Sequence, residues 1–175
     1  GAMLLMLTVL AKGTEVIVSR GEQVQIGGGF RVPEILKLSG TSLVAVGTTN
    51  ITTLKHHLNA ITSKTSFVLQ VHTSNFSIRG FAKKPDTSSL VKALPDSIPV
   101  MVDQGSGVTG ERIKGEISVK DYLSQGASLV CFSGDKILGG PQAGIITGKR
   151  PYIEQLARHP LFRAFRPGKT VYSLM

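Results

Sequence analysis

The sequence predicts a three-layer α/β domain built on a mostly parallel β-sheet. Short apolar runs alternate with helical patterns along the 175 residues. The runs are nearly continuous in apolar residues, which is typical of strands that helices cover on both faces. Polar or glycine-rich clusters follow five of the runs, at the positions where a parallel sheet collects its functional side chains.

Each apolar run is interpreted as a strand, and each intervening helical pattern as a helix. Strands are expected at residues 15–18, 43–46, 66–71, 99–102, 129–132 and 144–147. Helices are expected at residues 32–38, 53–61, 87–94, 118–125 and 150–158. Pro33 suits the first turn of its helix, and Thr53 and Thr87 are expected to cap theirs.

Both ends of the chain look cut. Residues 1–3 are interpreted as an expression scar. Residues 4–11 begin as the middle of a buried helix, and residues 171–175 stop at what is interpreted as the start of another. The chain is therefore interpreted as a piece of a larger protein.

The composition limits the classes of function. The chain has 20 Lys and Arg residues against 11 Asp and Glu, a formal net charge of +9. This balance fits an anionic partner, but solvated basic helix faces are common, so charge alone does not predict nucleic-acid binding. Cys131 is the single cysteine, which excludes a disulfide within the chain and indicates a reducing compartment, expected to be the cytoplasm. No apolar stretch approaches the ~18 residues of a membrane helix, and no residue pattern is interpreted as a metal site.

Lys136 is the most informative residue of the chain. It lies in the segment Ser133-Gly-Asp-Lys-Ile-Leu-Gly-Gly-Pro-Gln-Ala-Gly144, directly after the apolar run 129–132. Its amine is therefore expected to point into the crevice beyond the strand ends. Partial desolvation there would lower the pKa of Lys136 and favour the neutral amine that forms a Schiff base with an aldehyde cofactor. The alternative is an ordinary turn that carries a lysine.

Asn75 and Asp103 end two other predicted strands, and Asn75, Asp103 and Lys136 follow one another along the chain at intervals of about one βα unit. Asp103 is interpreted as a carboxylate that keeps a pyridine nitrogen protonated, or else as the cap of the next turn. Asn75 is interpreted as a hydrogen-bonding partner of a ring hydroxyl, or else as a turn residue. Their order along the chain is more specific than any single member, and all three are predicted to converge at one edge of the sheet.

Four further residues are candidates for binding. Ser133 precedes Lys136 by three residues and is placed to reach the phosphate of the same cofactor. His72 is expected either to lie over the cofactor ring or to be an ordinary histidine at a strand end. Arg163 and Arg166 are predicted on one face of a helix, as a fork for an oxyanion. The alternative interpretation is an amphipathic segment in which both arginines are simply solvated.

The segment Gly105-Ser-Gly-Val-Thr-Gly110 matches the dinucleotide-binding pattern and follows a predicted strand. The residues after it include Gly115 and show no apolar stripe, so the helix that this pattern requires is not expected. A nucleotide-binding module is kept as the alternative from another class of protein.

The segment from Ser133 to Gly144 resembles the cofactor-lysine segment of the bacterial selenocysteine synthases, the L-seryl-tRNA(Sec) selenium transferases. The resemblance covers the chain from Leu4 to Met175. It extends, in the same order, to residues 16–22, 47–50, 71–76, 103–107 and 161–166.

This resemblance implies the fold type I architecture of pyridoxal 5'-phosphate enzymes, with residues 4–175 as part of the catalytic (large) domain. It implies that Lys136 forms the Schiff base and that Asp103 faces the pyridine nitrogen. It also implies that Asp135 assists near the reacting group. Arg163 and Arg166 would hold the anionic selenium donor or a phosphate.

The reaction implied is the conversion of seryl-tRNA(Sec) to selenocysteinyl-tRNA(Sec) with selenophosphate, through a dehydroalanyl intermediate. The resemblance further implies a homo-oligomeric parent protein whose tRNA-binding module and small domain lie outside this chain, so activity of the fragment alone is not implied. A related pyridoxal-phosphate lyase acting on a small amino acid or an amino sugar phosphate is the alternative within the same fold.

Overall fold

The computed structural model describes residues 1–23, 25–26, 30–73, 76, 78, 80–110 and 113–175, with residues 25, 26 and 30 described by their backbone. The strands are β1 (Glu15–Ser19), β2 (Gln25–Ile26), β3 (Phe30–Arg31), β4 (Ser42–Val46), β5 (Thr65–Val71), β6 (Val100–Gly105), β7 (Leu129–Ser133) and β8 (Gly144–Gly148). The helices are α1 (Ala2–Ala11), α2 (Val32–Leu38), α3 (Leu54–Asn59), α4 (Thr87–Ala93), α5 (Val119–Ser124), α6 (Arg150–Arg158), α7 (Pro160–Ala164) and α8 (Lys169–Leu174). All six predicted strands and all five predicted helices are present. The β2–β3 hairpin was not predicted.

Six strands form one sheet in the order β4-β1-β5-β6-β7-β8. All neighbours pair in parallel except β7 and β8, which are antiparallel. The prediction of a mostly parallel sheet is confirmed. Since the chain leaves β1 toward β4 on one side and later builds β5, β6 and β7 on the other, the strand order reverses between β1 and β5.

Two apolar clusters cover the two faces of the sheet, which confirms the three-layer prediction. One cluster joins α1, α2 and α6 to alternate strand residues such as Val16 and Leu69. The other joins α3, α4 and α5 to the intervening residues, such as Ile17 and Val68. The strands are apolar on both sides because both sides are covered, which accounts for their continuous apolar sequence.

The helix starts show one wrong prediction. Thr53 caps α3 as expected, and its hydroxyl accepts a hydrogen bond from the backbone of His56. Thr87 does not cap α4. Asp86 does so instead, by accepting from the amide of Ser89 at 2.7 Å, because a carboxylate is the stronger acceptor for the free N–H groups of a helix start.

The Thr87 hydroxyl instead donates to Gln70 at 2.6 Å in the buried layer.

Among the described residues, no helix combines the length and the apolar character that crossing a bilayer requires.

We predict that Leu36→Ala destabilises the fold and that Leu38→Ala does not, although both residues lie in α2. Leu36 is fully buried, whereas Leu38 is 70% exposed. Truncating the buried side chain leaves a cavity and should cost about 2–5 kcal/mol, while the exposed truncation should stay within about 0.5 kcal/mol. Urea unfolding of both variants measures the difference, and equal losses would contradict the assigned burial.

Candidate cofactor site at the carboxyl edge of the sheet

The structure brings Asp103 and Lys136 to the same place at the carboxyl edge of the sheet. Asp103 lies near the end of β6, and Lys136 follows the end of the neighbouring strand β7. The Asp103 Oδ1 atom and the Lys136 Nζ atom lie 3.9 and 4.0 Å from the position that a Cβ on Gly105 would take. A carboxylate and a primary amine therefore border one small space, whose third side is a glycine.

Gly105 keeps this space open. Its φ of +70° is a conformation that L side chains rarely adopt. The pairing of β6 with β7 shifts register between Asp103 and Gly105, as in a β-bulge. Such an irregularity turns the end of a strand and re-aims its side chains. It thus leaves room between the Asp103 carboxylate and the Lys136 amine.

The loop that carries Lys136 is held against the end of β6. The amide of Ile137 donates to the carbonyl of Ser106 at 3.0 Å. Gly107, with a φ of +82°, lies so close that a Cβ on it would be 2.5 Å from the carbonyl oxygen of Ser133. The lysine loop and the strand end are therefore positioned by backbone contacts, which side-chain motion does not loosen.

The Asp103 carboxylate is oriented by the neighbouring strand. The Cys131 thiol donates a hydrogen bond from Sγ to Oδ1 at 3.4 Å. Burial raises the pKa of Asp103, while the Cys131 hydrogen bond and the positive charge of Lys136 act in the opposite direction. Burial, and then the nearby Asp103 charge, raise the pKa of Cys131 well above its ordinary value, so this thiol stays protonated and keeps donating.

The expected partial desolvation of Lys136 is wrong for this chain. Lys136 and its neighbour Asp135 are both exposed. They lie in the bend after β7 and not within the strand, so the helical layers that cover the strands do not reach them. Lys136 therefore has the predicted position, but the described residues do not enclose it.

His72 lies at the edge of the sheet but projects to the face opposite Asp103. Its Nδ1 is 3.0 Å from the Tyr122 hydroxyl, and its Nε2 is 3.0 Å from Glu116 Oε2. Tyr122 belongs to the cluster on the α5 side, whereas Cys131, which contacts Asp103, belongs to the other cluster. The His72 side chain is only 7% exposed, so the structure does not bring its ring together with Asp103 and Lys136.

A polar network around His72 was not predicted. Glu116 Oε2 also accepts from the Ser106 hydroxyl at 2.7 Å, and the Gln104 side chain amide donates to Ser106 and to the Ile117 carbonyl. Burial lowers the pKa of His72, although Glu116 acts to raise it. Little in the sequence indicates this network, because Glu116 lies in an irregular stretch and its partners are distant along the chain.

Of two further predicted site residues, the structure describes Ser133 and not Asn75. Ser133 is the last residue of β7, half-buried beside the lysine loop. Asn75 lies outside the described residues, so its convergence with Asp103 and Lys136 stays a prediction.

The predicted helical pairing of Arg163 and Arg166 is wrong in part. Arg163 lies in α7, but α7 ends at Ala164 and Arg166 follows it in irregular backbone. Pro167 explains this, because a proline disfavours helical backbone at the residue before it. The Arg166 amide still donates to the Arg163 carbonyl at 3.3 Å, and both side chains are exposed. In the part of the chain that the structure describes, no hydrogen bond or ion pair joins either arginine to Asp103 or Lys136.

The glycine pattern at residues 105–110 serves packing in this structure. Across the described residues that follow it, no helix begins before Val119, so the helix that a dinucleotide phosphate needs is missing there. Gly107 instead permits the close approach of the lysine loop, and Gly105 has a positive φ where β6 ends.

The residues at this edge fit pyridoxal phosphate. The group needs an amine for its aldehyde, an acid for its ring nitrogen and space between the two. Lys136 and Asp103 supply the first two, and the missing Cβ of Gly105 supplies the space.

We predict that Lys136→Met raises the pKa of Asp103 further, because the nearby ammonium no longer favours the carboxylate. A carbon-13 NMR titration of the Asp103 carboxyl measures this shift. Lys149→Met is the matched control, since Lys149 is exposed and its amide bonds to Ser128 at the opposite edge of the sheet. An Asp103 titration that is the same in Lys136→Met and in the unaltered chain would contradict the convergence of the two side chains.

Comparison with known proteins identifies the family of this chain. The family model for L-seryl-tRNA selenium transferase (SelA) matches residues 1–175. An L-seryl-tRNA(Sec) selenium transferase of Haemophilus influenzae is 48% identical over 97% of this chain. That of Alkaliphilus oremlandii is 49% identical over 96% of it. The chain spans 38% and 37% of the length of these two relatives.

Solved structures show the same fold at low sequence identity. A D-glucosaminate-6-phosphate ammonia-lyase aligns with a TM-score of 0.75 and 22% identity over 97% of this chain and 48% of its own. An aspartate aminotransferase of Thermus thermophilus aligns with a TM-score of 0.61 and 19% identity over 89% of this chain and 40% of its own. Identity at this level shows a shared architecture only. The family model matches the whole chain, and this chain therefore belongs to the L-seryl-tRNA selenium transferase family.

Proposed function

We propose that this chain is part of the catalytic domain of an enzyme that converts seryl-tRNA(Sec) to selenocysteinyl-tRNA(Sec), with pyridoxal 5'-phosphate as cofactor and selenophosphate as selenium donor. The observation that carries the proposal is the convergence of Asp103 and Lys136 around Gly105, in a chain that belongs to this family. Because the chain spans 38% of a relative's length, the activity is proposed for the whole parent protein.

The cofactor, when bound, supplies an electron sink that stabilises negative charge at the α-carbon of the seryl group. Lys136 would hold its aldehyde, and Asp103 would face its ring nitrogen. Ser133, Asn75 and His72 are the proposed ligands of its phosphate, ring hydroxyl and ring face. For His72 this requires the side chain to leave its contacts with Tyr122 and Glu116.

Asp103 is prepared for this role by its surroundings. A buried carboxyl holds its proton more tightly than an exposed one, which opposes a charged carboxylate. The Cys131 hydrogen bond and the Lys136 charge both favour the carboxylate, and a protonated ring nitrogen would add a third favourable contact. The Cys131 thiol donates to Oδ1 of Asp103, so Oδ2 of Asp103 can accept a hydrogen bond from that nitrogen.

Lys136 and Asp135 are proposed to handle the protons of the substrate. Lys136 is exposed, so the amino group of the seryl ester can approach it. With the cofactor bound, the Lys136 amine would be placed to accept the proton of the α-carbon. Asp135 is the adjacent exposed acid, and we propose that it assists departure of the seryl hydroxyl.

Arg163 and Arg166 are proposed to bind the oxyanion of the selenium donor. Arg166 borders an apolar cavity of about 460 Å³, which Met175 also lines. The sulfur of Met175 is 3.2 Å from where a Cβ on Gly134 would lie, one residue before Asp135. The cavity beside Arg166 therefore adjoins the lysine loop.

The partners and compartment follow from the same proposal. The relatives carry seryl-tRNA(Sec) in their names, and we propose the same substrate for the parent of this chain. We also propose a homo-oligomeric parent, and the cytoplasm as its compartment, since Cys131 is buried as a free thiol.

The alternatives are less well supported. The likeness to an ammonia-lyase is at 22% identity, which shows the fold and does not favour lyase chemistry. For the nucleotide-binding alternative, the described residues after the glycine pattern begin no helix before Val119.

We predict that pyridoxal phosphate forms a bond with Lys136 of this 175-residue chain, which borohydride reduction makes permanent and mass spectrometry of peptides locates. Lys136→Ala should lose this labelling, and in the full-length parent it should abolish turnover of seryl-tRNA. Lys149→Ala is the control and should keep both. Affinity in the fragment should be weak. Labelling that stays at the same level in Lys136→Ala would refute the assignment.

We predict that Arg163→Ala and Arg166→Ala in the parent raise the donor concentration needed for product formation about tenfold or more, the scale of one lost charged hydrogen bond. Binding of seryl-tRNA should change little. Arg163→Lys should also be harmful, because an ammonium offers no bidentate fork.

The control for these variants is Arg158→Ala, since Arg158 is an exposed arginine of α6 that faces Glu154. Donor dependence is measured beside a tRNA-binding titration. Variants at Arg163 and Arg166 that lose tRNA affinity and keep their donor dependence would place these arginines on a tRNA-facing surface instead.

A further inference from the structure

A further cavity, with a buried carboxyl group in its lining, lies on the same edge of the sheet, apart from Asp103 and Lys136. It has a volume of about 240 Å³ and opens beyond the ends of β1 and β5. This is the place where the strand order reverses, and such a reversal opens a crevice between the two strand ends. Its lining residues include Ser19, Glu22, Thr52, Thr73 and Lys84.

The floor of this cavity is a buried carboxyl group. Glu22 is only 5% exposed, and its Oε2 accepts a hydrogen bond from the amide of Val71 at 3.1 Å. Its other oxygen, Oε1, is 3.5 Å from the Nζ of Lys84, a long contact to a side chain that is 50% exposed. Oε1 therefore retains capacity to accept a stronger hydrogen bond from a ligand.

The mouth of the cavity carries positive charge and an aromatic ring. Lys83 and Lys84 both line it and are exposed. Phe76 lines it as well and is 42% exposed. Two ammonium groups at the mouth and one carboxyl on the floor favour a ligand with an anionic end and a hydrogen-bond-donating end.

The walls are held by backbone contacts. The amide of Lys83 donates to the carbonyl of Asn50 at 2.9 Å, and its carbonyl accepts from the amide of Thr52 at 2.8 Å. The hydroxyls of Ser19 and Thr52 lie 2.7 Å apart in the buried layer. The cavity is therefore formed by connected elements and does not depend on loose side chains.

The cavity adjoins the candidate cofactor site. Thr73 lines it, and the preceding residue, His72, donates its amide to the carbonyl of Asp103 at 2.9 Å. A molecule held here would thus lie beside the strand end that carries Asp103.

We propose that this cavity binds the terminal ribose phosphate of a single-stranded RNA 3′ end. Glu22 Oε1 accepts a hydrogen bond from a ribose hydroxyl, Lys83 and Lys84 bind the phosphate, and Phe76 offers a face for the base. The inference rests on the proposed function, because the 3′ end of seryl-tRNA carries the reacting amino acid and must reach Lys136.

The carboxyl on the floor distinguishes this ligand from a simple anion. Two exposed lysines alone would suit inorganic phosphate. Glu22 repels a bare anion that enters the cavity, yet it is a good acceptor for a sugar hydroxyl. Acidic residues at the ends of parallel strands bind ribose hydroxyls in the same way in dinucleotide-binding folds.

The test uses the 175-residue chain and two RNA trinucleotides. CCA has a ribose at its 3′ end, and a matched CCA that ends in 2′,3′-dideoxyadenosine lacks both terminal hydroxyls. Binding is followed by NMR at the amides of Gly21 and Thr52. The native chain should bind CCA about tenfold more tightly than the dideoxy form, the scale of a hydrogen bond to a charged group. Inorganic phosphate should bind more weakly than either.

Variants then assign the contacts. Glu22→Gln should lose the preference for CCA over the dideoxy form, and Lys84→Gln should weaken both and reduce the salt dependence. Lys92→Gln is the control, because Lys92 is an exposed lysine of α4 outside the cavity. Equal affinity of the native chain for the two trinucleotides would overturn the proposal, and this comparison needs no variant to fold.

Three other results would also overturn the proposal. They are the absence of amide shifts at millimolar CCA, phosphate that binds as tightly as CCA, and Lys92→Gln that weakens CCA as much as Lys84→Gln. Cofactor labelling at Lys136 is measured separately, so failure of the proposed function and failure of this cavity are distinguishable.

Discussion

The candidate site depends on one close backbone approach, between the end of β6 and the loop after β7. Gly105 and Gly107 both have positive φ, and a side chain at Gly107 would collide with the carbonyl of Ser133. Because Gly107 lacks a Cβ, the lysine loop can dock on Ser106 and bring the Lys136 amine beside Asp103. The same glycines create the false match to a dinucleotide pattern. The docked lysine loop and the false match both reflect glycines that allow close approach of the backbone, here between two strand ends.

The orientation of the acid depends in turn on strand register. Asp103 pairs with Cys131 across β6 and β7, so both side chains project to the same face and the thiol can donate to the carboxylate. His72 comes one residue after Val71. Successive residues of a strand project to opposite faces, so the His72 side chain lies on the face opposite Asp103. The sheet edge therefore carries two polar groups back to back. One contains the acid and the lysine, and the other contains His72, Tyr122 and Glu116.

These details mark the limit of what the sequence could predict. The strands and helices follow from apolar runs and periodicity, which are local, and the positions of Asp103 and Lys136 at the ends of two such runs located both residues at strand ends. The face on which His72 lies depends on the partner strand and on where β5 ends, which no local pattern encodes. The exposure of Lys136 depends on what covers the loop. The end of α7 before Arg166 could have been predicted, since Pro167 follows directly.

The reversal of strand order between β1 and β5 explains why a cavity with a buried carboxyl group lies at this edge of the sheet. The register pairs of β1 with β5 end at Ile17 and Val68, so the amide of Val71 has no partner on β1. A buried N–H must find an acceptor, and Glu22 supplies it. That requirement places a carboxyl where the strands diverge, and burial there raises the pKa of Glu22 despite the opposing charge of Lys84. A residue needed to complete the sheet thereby also gives the cavity floor an acceptor beside the candidate cofactor site.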